Sequence, residues 1–128
     1  MSLLPTMIHT QTVVSTDLIV RSYTHFLLRH ERTILLDSNE PLVTVGVPVY
    51  NGERFLAACL DSLLAQTFRD FVLLISDNAS TDSTEEICQR YVKADSRVRY
   101  HRNETNIGLY GNFNLLLRMV RTRYVKLA

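Results

Sequence analysis

The sequence is poor in the residues that mark several classes of protein. Four glycines and three prolines among 128 residues exclude a collagen-like or Pro/Gly-rich low-complexity chain. The only two cysteines, Cys59 and Cys88, show neither a CxxC pattern nor a Cys/His metal spacing. We therefore expect packed thiols in a reducing compartment rather than a disulfide or a zinc site. The net charge of +1 gives no global reason to expect a nucleic-acid partner.

Long apolar runs and several catalytic signatures are also missing. No run approaches the roughly 18 apolar residues that span a bilayer, and the start lacks a basic region followed by a long apolar stretch. We therefore expect a cytoplasmic protein, with the cytoplasmic face of a membrane as a second place of action. The GxxxxGK[ST] phosphate loop, the GxGxxG pattern, the HExxH pattern and a nucleophile elbow are absent, and the four histidines show no metal-ligand spacing.

What is present from residue 41 onward is an alternation of apolar runs and helical stripes. We predict strands over 42–49, 71–75, 98–101 and 124–127, and helices over 53–66, from Asp82 with Glu85 as capping-box partner, and over 109–120. This order predicts an α/β fold with a Rossmann-like, open and mostly parallel sheet flanked by helices. With 46% hydrophobic residues, the chain can bury a sizeable core.

Residues 1–40 differ from the rest, and we separate them from a domain over 41–128. Capping oxygens at residues 15–17 precede an apolar pattern, which predicts an amphipathic helix from about Thr16 to His30. Such a helix either packs on its own domain or a second subunit, or lies on a membrane surface. Its low charge density favours packing.

Charge is unevenly distributed along the chain. Residues 1–40 carry a net charge of −1, residues 41–96 of −4 and residues 97–128 of +6. The basic end either faces a phosphate or another acidic surface, or is a solvated helix face beside a strand.

In open parallel sheets, ligands bind beyond the carboxyl ends of the strands, which here are the loops after Val49, Ile75 and Leu127. In the first loop, Pro48 fixes the chain, Asn51 begins a tight turn with Gly52, and Tyr50 has a ring that can stack on a base. Glu53 is expected at the start of the following helix, where its charge suits the helix dipole. The alternative is an ordinary strand-to-helix turn.

The second loop, residues 76–84, is almost wholly polar. Asp77 at a strand end can accept a hydrogen bond from an imide or a ribose, or help to hold a cation, and Asn78 follows it. The alternative is that Asp77 and Asn78 form Asx turns while the later residues cap a helix. A third polar loop runs from Arg102 to Gly108, where Asn106 and Gly108 suit positive φ.

Four segments in this order carry a family resemblance: PLVTVGVPVYN (41–51), LDSLLAQT (60–67), SDNASTDST (76–84) and RNETNIG (102–108). Together they resemble the start of a family 2 glycosyltransferase with the GT-A fold, over residues 41–128. The resemblance implies that this region binds a nucleotide-diphospho-sugar, with a UDP-sugar as the expected donor and a glycan or a lipid-linked molecule as acceptor. No nucleic-acid partner is expected.

The resemblance also assigns the site residues. It implies that Pro48 and Tyr50 line the nucleoside with Asn51 and Glu53 close by, that Asp77 and Asn78 contact the base, and that the loop with Asn106 and Gly108 lies near the ribose and phosphates. The second acidic position of the family is Asn78 here, which leaves the base preference open because asparagine both donates and accepts.

The resemblance further implies an inverting transfer to an acceptor hydroxyl, with Mg²⁺ or Mn²⁺ on the diphosphate. The metal motif is expected just after Ala128 and the catalytic base beyond it, so no catalytic or metal-binding residue is expected within this chain. A GT-A sheet truncated after about four strands, with an extra N-terminal helix, is therefore expected to be inactive alone. It is also expected to self-associate through an exposed sheet or the N-terminal helix.

Two other interpretations remain open at this point. One is a non-catalytic nucleotide-binding or protein-interaction module on the same fold. The other is a receiver-like domain with Asp77 as phosphoacceptor. That reading lacks the paired acids expected after the first strand, where Asn51 and Gly52 stand.

Overall fold

The structure, a computed structural model, describes residues 14–15 and 40–128. In chain order the elements are β1 Val14–Ser15, β2 Val43–Val49, α1 Leu56–Leu64, β3 Phe71–Asp77, α2 Thr84–Ala94, β4 Val98–Arg102, α3 Gly108–Met119 and β5 Tyr124–Leu127. The helix predicted from Thr16 to His30 lies outside the described residues. The division of the chain at residue 40 stays a prediction.

One five-stranded sheet holds the chain together, in the order β1-β5-β2-β3-β4. β5, β2, β3 and β4 are parallel, and the two residues of β1 pair antiparallel with β5 at the edge. The predicted α/β fold with an open, mostly parallel sheet is confirmed. Because the chain extends from β2 to β4 on one side and then returns to place β5 on the other, the strand order reverses between β2 and β5.

The core lies on both faces of this sheet. All seven residues of β3 are buried, as expected for a central parallel strand that helices cover on both sides. Alternate residues such as Val45, Leu73 and Ile75 form the main cluster with the apolar stripes of α1 and α2. α3 covers the opposite face, where a Cβ at Gly46 would come within 2.6 Å of a Leu116 methyl. The lack of a side chain at Gly46 therefore lets α3 lie close to β2.

Several predicted boundaries are wrong, and each error has a hydrogen-bonding cause. The first helix begins at Leu56 rather than residue 53, because the N–H groups of Phe55 and Leu56 both donate to Gly52 O in a preceding turn. β3 extends through Asp77, because pairing with β2 and β4 continues past Ile75. Both added residues are polar yet fully buried, which local sequence patterns do not reveal.

The predicted capping box of the second helix is also wrong. α2 begins at Thr84, whose N–H donates to Asp82 Oδ1 over 3.0 Å, so that Asp82 lies before the helix. Glu85 does not reach back to cap the helix but lies 3.6 Å from Arg102 Nε. The expected loop at 102–108 is shorter, since β4 includes Arg102 and α3 begins at Gly108.

Candidate functional site

The predicted site residues are brought together at the carboxyl ends of β2, β3 and β4. Beyond the strand ends, Asn78 N donates to Val49 O and Asn103 N donates to Asp77 O, each over 2.8 Å. These bonds hold three loops side by side: residues 50–55 after β2, 78–83 after β3 and 103–107 after β4. We call them loops 1, 2 and 3.

Asp77, the last residue of β3, holds loop 2 in place through hydrogen bonds. Its side chain has no exposed surface, and Oδ1 accepts hydrogen bonds from the Ser80 N–H over 2.9 Å and the Ser80 hydroxyl over 2.5 Å. Oδ2 accepts from the Tyr100 hydroxyl over 2.7 Å and from Arg102 Nη1 over 2.9 Å. Burial, together with the hydrogen bond to Asp77, raises the pKa of Tyr100 far above its usual range, so the phenol remains a donor. The carboxylate thus ties loop 2 to β4.

Asn78 ties loop 2 to loop 3. Only 3% of this residue is exposed. Its Nδ2 donates to Asn106 Oδ1 over 2.8 Å and to Gly108 O over 3.1 Å, while its Oδ1 accepts from Asn103 Nδ2 over 3.0 Å and from Ile107 N over 2.9 Å. The amide therefore uses both N–H groups and both lone pairs. An ionised aspartate here would place oxygen against two acceptors, which explains why asparagine suits this position in this chain.

Sequence reasoning missed the buried chain of amides that continues from Asn78. Asn103 Nδ2 also donates to Asn112 Oδ1 over 3.0 Å. Asn112 in turn accepts from the Ser76 hydroxyl over 2.6 Å and donates to Ser76 O over 2.8 Å. We call Ser76, Asn78, Asn103 and Asn112 the buried amide network. The available signal was the pair of asparagines, Asn112 and Asn114, within the mostly apolar stretch 109–120, but the sequence did not indicate which of them is buried.

Loop 1 is cross-linked to loop 2 by a second set of bonds. Asn51 N donates to Ser80 Oγ over 2.8 Å, and Asn51 Oδ1 accepts from Thr81 N over 2.8 Å. Gly52 N donates to Thr84 Oγ1 over 2.9 Å. The tight turn predicted here is confirmed, with Asn51 in the left-handed region at φ 49°. Most of these polar groups therefore hydrogen-bond to the other loop and hold the two loops together.

Glu53 does not serve the helix that follows it, so that expectation is wrong. The first turn of α1 has no acidic residue. The carboxylate instead accepts from Ser83 N over 3.0 Å at the start of α2, and Glu53 N donates to Asp82 Oδ2 over 3.1 Å. Partial burial alone would raise the pKa of Asp82, but hydrogen bonds from Thr84 and from the Glu53 N–H hold it below its usual range. Both carboxylates therefore lie at the positive, N-terminal end of α2, where their negative charge stabilises the helix.

The predicted residues divide into an accessible group and a buried one. Tyr50 is 50% exposed, Pro48 is half-buried, and the accessible remainder comprises Asn51, Glu53, Asn106 and Gly108. Asp77 and Asn78 lie beneath them. Gly108 has the expected positive φ of 78°. Asn106 does not, and its side-chain oxygen instead accepts from Gly108 N over 2.9 Å.

Ala79 adopts a conformation that the sequence did not indicate. Its φ is 61°, in the left-handed region, where an L-residue with a Cβ loses about 1 kcal/mol. Replacing Ala79 with glycine removes that strain but increases the freedom of the unfolded chain. We expect Ala79→Gly to leave the free energy of unfolding unchanged or to raise it by up to about 1 kcal/mol, as measured by urea denaturation.

Gly108 provides the matched control for this prediction. Its φ is also positive, and a Cβ there would meet nothing within 4 Å, so Gly108→Ala tests the backbone alone. We expect Gly108→Ala to lower the free energy of unfolding by about 1 kcal/mol. A clear loss of stability in Ala79→Gly would contradict the account of strain at Ala79.

Neither cysteine shows the environment of a reactive thiol. Cys88 is fully buried in the main core cluster, and burial, aided by the charge of Asp77, raises its pKa to about 12. Cys59 packs against the same cluster, and burial raises its pKa as well. Both thiols are free, and the expected packing role is confirmed.

Residues 14–15 and 40–128 contain no group of three or more His, Cys, Asp or Glu side chains that could hold a metal ion. No helix in this part of the chain combines the length and apolar character that crossing a bilayer requires. An open groove of about 520 Å³ lies beside loop 1, lined by Glu53, Ser83, Glu86, Ile87 and Arg90.

Comparison with known proteins adds a family to this geometry. A model of the family described as Glycosyl transferase family 2 matches residues 44–127. Glycosyltransferase GlyA of Streptococcus pneumoniae serotype 4 is 39% identical over 83 residues, which make up 65% of this chain and 12% of GlyA.

Solved structures of two other proteins superpose on this chain. S. aureus TarS in complex with UDP-GlcNAc superposes with a TM-score of 0.62 and 29% identity, over 67% of this chain and 25% of that one. The mannosyltransferase PcManGT from Pyrobaculum calidifontis, in complex with GDP-Man and Mn²⁺, gives 0.58 and 26% over 63% of this chain and 25% of that one. The chain thus matches a quarter or less of the length of each of these three relatives.

Proposed function

Because the chain belongs to glycosyl transferase family 2, we propose that residues 41–128 form the nucleotide-diphospho-sugar-binding part of an inverting glycosyltransferase. One observation carries the proposal: three cross-linked loops lie at the carboxyl ends of parallel strands, beside the point where the strand order reverses. Binding of UDP-GlcNAc by TarS and of GDP-Man by PcManGT supports this ligand class. A UDP-sugar is the proposed donor, and a glycan or lipid-linked hydroxyl the proposed acceptor.

The accessible residues are the ones we assign to direct contact. Tyr50 stacks on the base beside Pro48, the side chains of Asn51 and Glu53 border the nucleoside, and Asn106 with Gly108 lies near the ribose and phosphates. Asp77 and Asn78 form the floor below the base. Their side chains are saturated within the protein, so a direct bond to the base would exchange one of the bonds described above. Their first role is to hold loops 2 and 3 in place.

From the family resemblance, we propose that the metal motif of the complete enzyme follows just after Ala128 and that the catalytic base lies beyond it. PcManGT contains Mn²⁺, and Mg²⁺ or Mn²⁺ is the metal that we propose for the complete enzyme. A bound divalent cation would neutralise charge on the departing diphosphate. The described residues do not form a site of suitable composition for it. We therefore propose that this chain binds the nucleotide without catalysing transfer, and sugar transfer by the purified chain would overturn that statement.

Two further properties follow from the same reading. We propose a cytoplasmic location, and self-association of the 128-residue chain through an exposed sheet edge or the N-terminal segment. Light scattering of the purified chain should show species larger than a monomer. A monodisperse monomer would contradict the proposed self-association.

Tyr50→Ala tests the proposed site directly. Stacking of a base on an aromatic ring contributes about 1–3 kcal/mol, so we expect UDP to bind the variant about tenfold more weakly than it binds the unaltered chain. Isothermal titration with UDP, UDP-GlcNAc and GDP-Man, with and without Mn²⁺, provides the measurement. The variant and the unaltered chain should have equal free energies of unfolding, because Tyr50 is half exposed.

Phe68→Ala is the matched control. The exposed fraction of Phe68, 48%, is similar to that of Tyr50. Phe68, however, precedes β3 and so lies at the opposite end of the sheet. Its replacement should leave UDP affinity unchanged. Equal losses in both variants would contradict the proposed place of the base. Absence of nucleotide binding by the unaltered chain would favour the protein-interaction module.

A further inference from the structure

Loop 1 contains the only asparagine of the sequence that is followed by a glycine, the pair Asn51-Gly52. In such a pair the main-chain nitrogen of the glycine can attack the side-chain amide of the asparagine, because glycine has no Cβ to crowd the approach. Asn51 is exposed, and its Nδ2 has no hydrogen-bond partner within residues 14–15 and 40–128. The nitrogen that would leave as ammonia is therefore open to water.

The reaction turns the side-chain amide into an acid, consumes water and releases ammonia. Gly52 N loses its proton to a base in solution and forms a bond to Asn51 Cγ, the Cγ–Nδ2 bond breaks, and ammonia leaves. Water then opens the resulting cyclic imide at either of its ring C–N bonds. Opening at Cγ gives aspartate, and opening at the main-chain carbonyl gives isoaspartate, whose main chain is lengthened by the side-chain methylene. Neither step is an oxidation or a reduction.

The turn nevertheless requires both residues of the pair. Asn51 has φ 49°, in the left-handed region that asparagine tolerates better than most residues with a side chain. A Cβ on Gly52 would lie 2.5 Å from a Val49 methyl group, which would have to be displaced. The fold therefore keeps a reactive pair beside the candidate site.

Two hydrogen bonds hold the reacting atoms of the closed loop apart. The Gly52 N–H points at Thr84 Oγ1, 2.9 Å from the nitrogen, and that hydroxyl in turn donates to Asp82 Oδ1. Once deprotonated, the nitrogen can attack only in the direction of its lost proton, and the Thr84 hydroxyl occupies that direction. Asn51 Oδ1 accepts from Thr81 N over 2.8 Å, which holds the side-chain amide against loop 2. Gly52 N and Asn51 Cγ can therefore react only after these bonds break.

The bonds of loop 1 are less protected from water than those of the buried amide network. The bond from Thr81 N to Asn51 is exposed, and those from Asn51 N and Gly52 N are only partly buried. The bonds that join Asn103 and Asn112 within the network are buried. Segments with accessible hydrogen bonds open locally at a lower free energy than global unfolding requires. Loop 1 is therefore expected to open while the sheet remains folded.

We propose that Asn51 is a site of spontaneous deamidation and that opening of loop 1 away from Thr81 and Thr84 sets the rate. The reaction needs only this chain and water, so the proposal does not depend on the proposed nucleotide site. Isoaspartate at residue 51 would move Gly52 N away from Thr84. Because Tyr50 is the preceding residue, this change would also disturb the surface assigned to the base, a consequence that rests on the proposed function.

Mass spectrometry of the full 128-residue chain, incubated in mildly alkaline buffer, measures the reaction at each asparagine. Brief digestion at mildly acidic pH, followed by fragmentation, locates the converted residue. We expect conversion at Asn51, with Asn106 and Asn114 unchanged as internal controls. The folded chain should convert at least about tenfold more slowly than the same chain unfolded in urea. Equal rates in the two states would overturn the proposal.

Thr84→Val tests whether loop 1 controls the rate, because it removes the acceptor of the Gly52 N–H and keeps a branched side chain at a fully buried position. Loss of this bond should speed conversion of Asn51 by about fivefold in a chain that circular dichroism shows to be folded. An unchanged rate in the folded variant would contradict the proposed control. Should the variant not fold, the comparison of folded and urea-unfolded chain still decides the outcome.

Thr44→Val is the matched control. Thr44 is 1% exposed, and its hydroxyl bonds to Thr122 Oγ1 over 2.8 Å, in β2 and away from loop 1. The rate at Asn51 should stay within about twofold of that in the unaltered chain. Equal acceleration by Thr44→Val and Thr84→Val would show that the rate follows overall stability, which overturns the proposed role of loop 1.

Asn51→Gln checks the assignment of the reacting residue. Glutamine would have to form a larger ring, so conversion at this position should fall below detection. If the chain then loses ammonia as fast as before, another residue is the site and the proposal is wrong.

Discussion

Asp77→Ala is expected to lower the free energy of unfolding by about 3 kcal/mol or more. The substitution removes the acceptor of four hydrogen bonds at a position with no exposed surface. The Ser80 N–H and hydroxyl are buried and would be left without that acceptor. Arg102 loses less, because 35% of its side chain is exposed and it still has Glu85 and Ser80 O nearby. Urea denaturation followed by circular dichroism measures the change.

Glu85→Gln is the matched control for Asp77→Ala. Both substitutions remove a carboxylate partner of Arg102, but the Glu85 side chain is 51% exposed and its closest approach to Arg102 is 3.6 Å. An exposed pair of this kind contributes at most about 0.5–1 kcal/mol. If Asp77→Ala costs no more than Glu85→Gln, Asp77 is not the anchor of loop 2. Nucleotide affinity should fall with Asp77→Ala and not with Glu85→Gln, because only the former frees loop 2.

Asn112→Leu is the second change with a large expected effect, about 2–4 kcal/mol of lost stability. Leucine has the same branched arrangement of side-chain heavy atoms as asparagine but is larger, so no cavity forms and some of the loss comes from crowding. The Ser76 hydroxyl, Ser76 O and one N–H of Asn103 would then lack their partner in a buried region. Leucine's greater helix propensity returns only a few tenths of a kcal/mol. Urea denaturation again gives the comparison.

Two further variants separate the network from simple packing. Asn114→Leu makes the same replacement two residues on, at a half-buried position of the same helix, and should leave stability unchanged or slightly raised. Ser76→Ala/Asn112→Leu removes both partners of one hydrogen bond and should cost at least about 1 kcal/mol less than the sum of the single changes. Strict additivity would show that Ser76 and Asn112 do not act together.

These two predictions concern buried residues that stabilise the fold and also position the loops of the candidate site. Asp77 and the buried amide network fix the positions of loops 2 and 3, and through them the accessible residues Tyr50, Asn106 and Gly108. A loss of rigidity here should therefore reduce both stability and nucleotide affinity. Tyr50→Ala, in contrast, should change affinity alone. The separation of these outcomes distinguishes the floor of the site from its contact surface.

The sequence by itself determined the architecture and predicted which polar loops lie together. Apolar period and punctuation predicted the α/β order, because a strand buried on both faces and a helix with one buried stripe leave different spacings. The family resemblance over residues 41–128 is confirmed over residues 44–127. Since parallel strands share one carboxyl edge, the polar residues after β2, β3 and β4 had to lie together.

Only the tertiary structure decided what each polar residue does at that edge. Asp77 and Asn78 look like exposed loop residues in the sequence, yet both are buried. Asp77 is buried because strand pairing continues past Ile75, whereas the amide of Asn78 is saturated by residues after β4. Glu53 caps α2 rather than its own helix, since loops 1 and 2 lie side by side. Local patterns record burial and period, whereas partners of a hydrogen bond or a charge are set by which loops the fold places together.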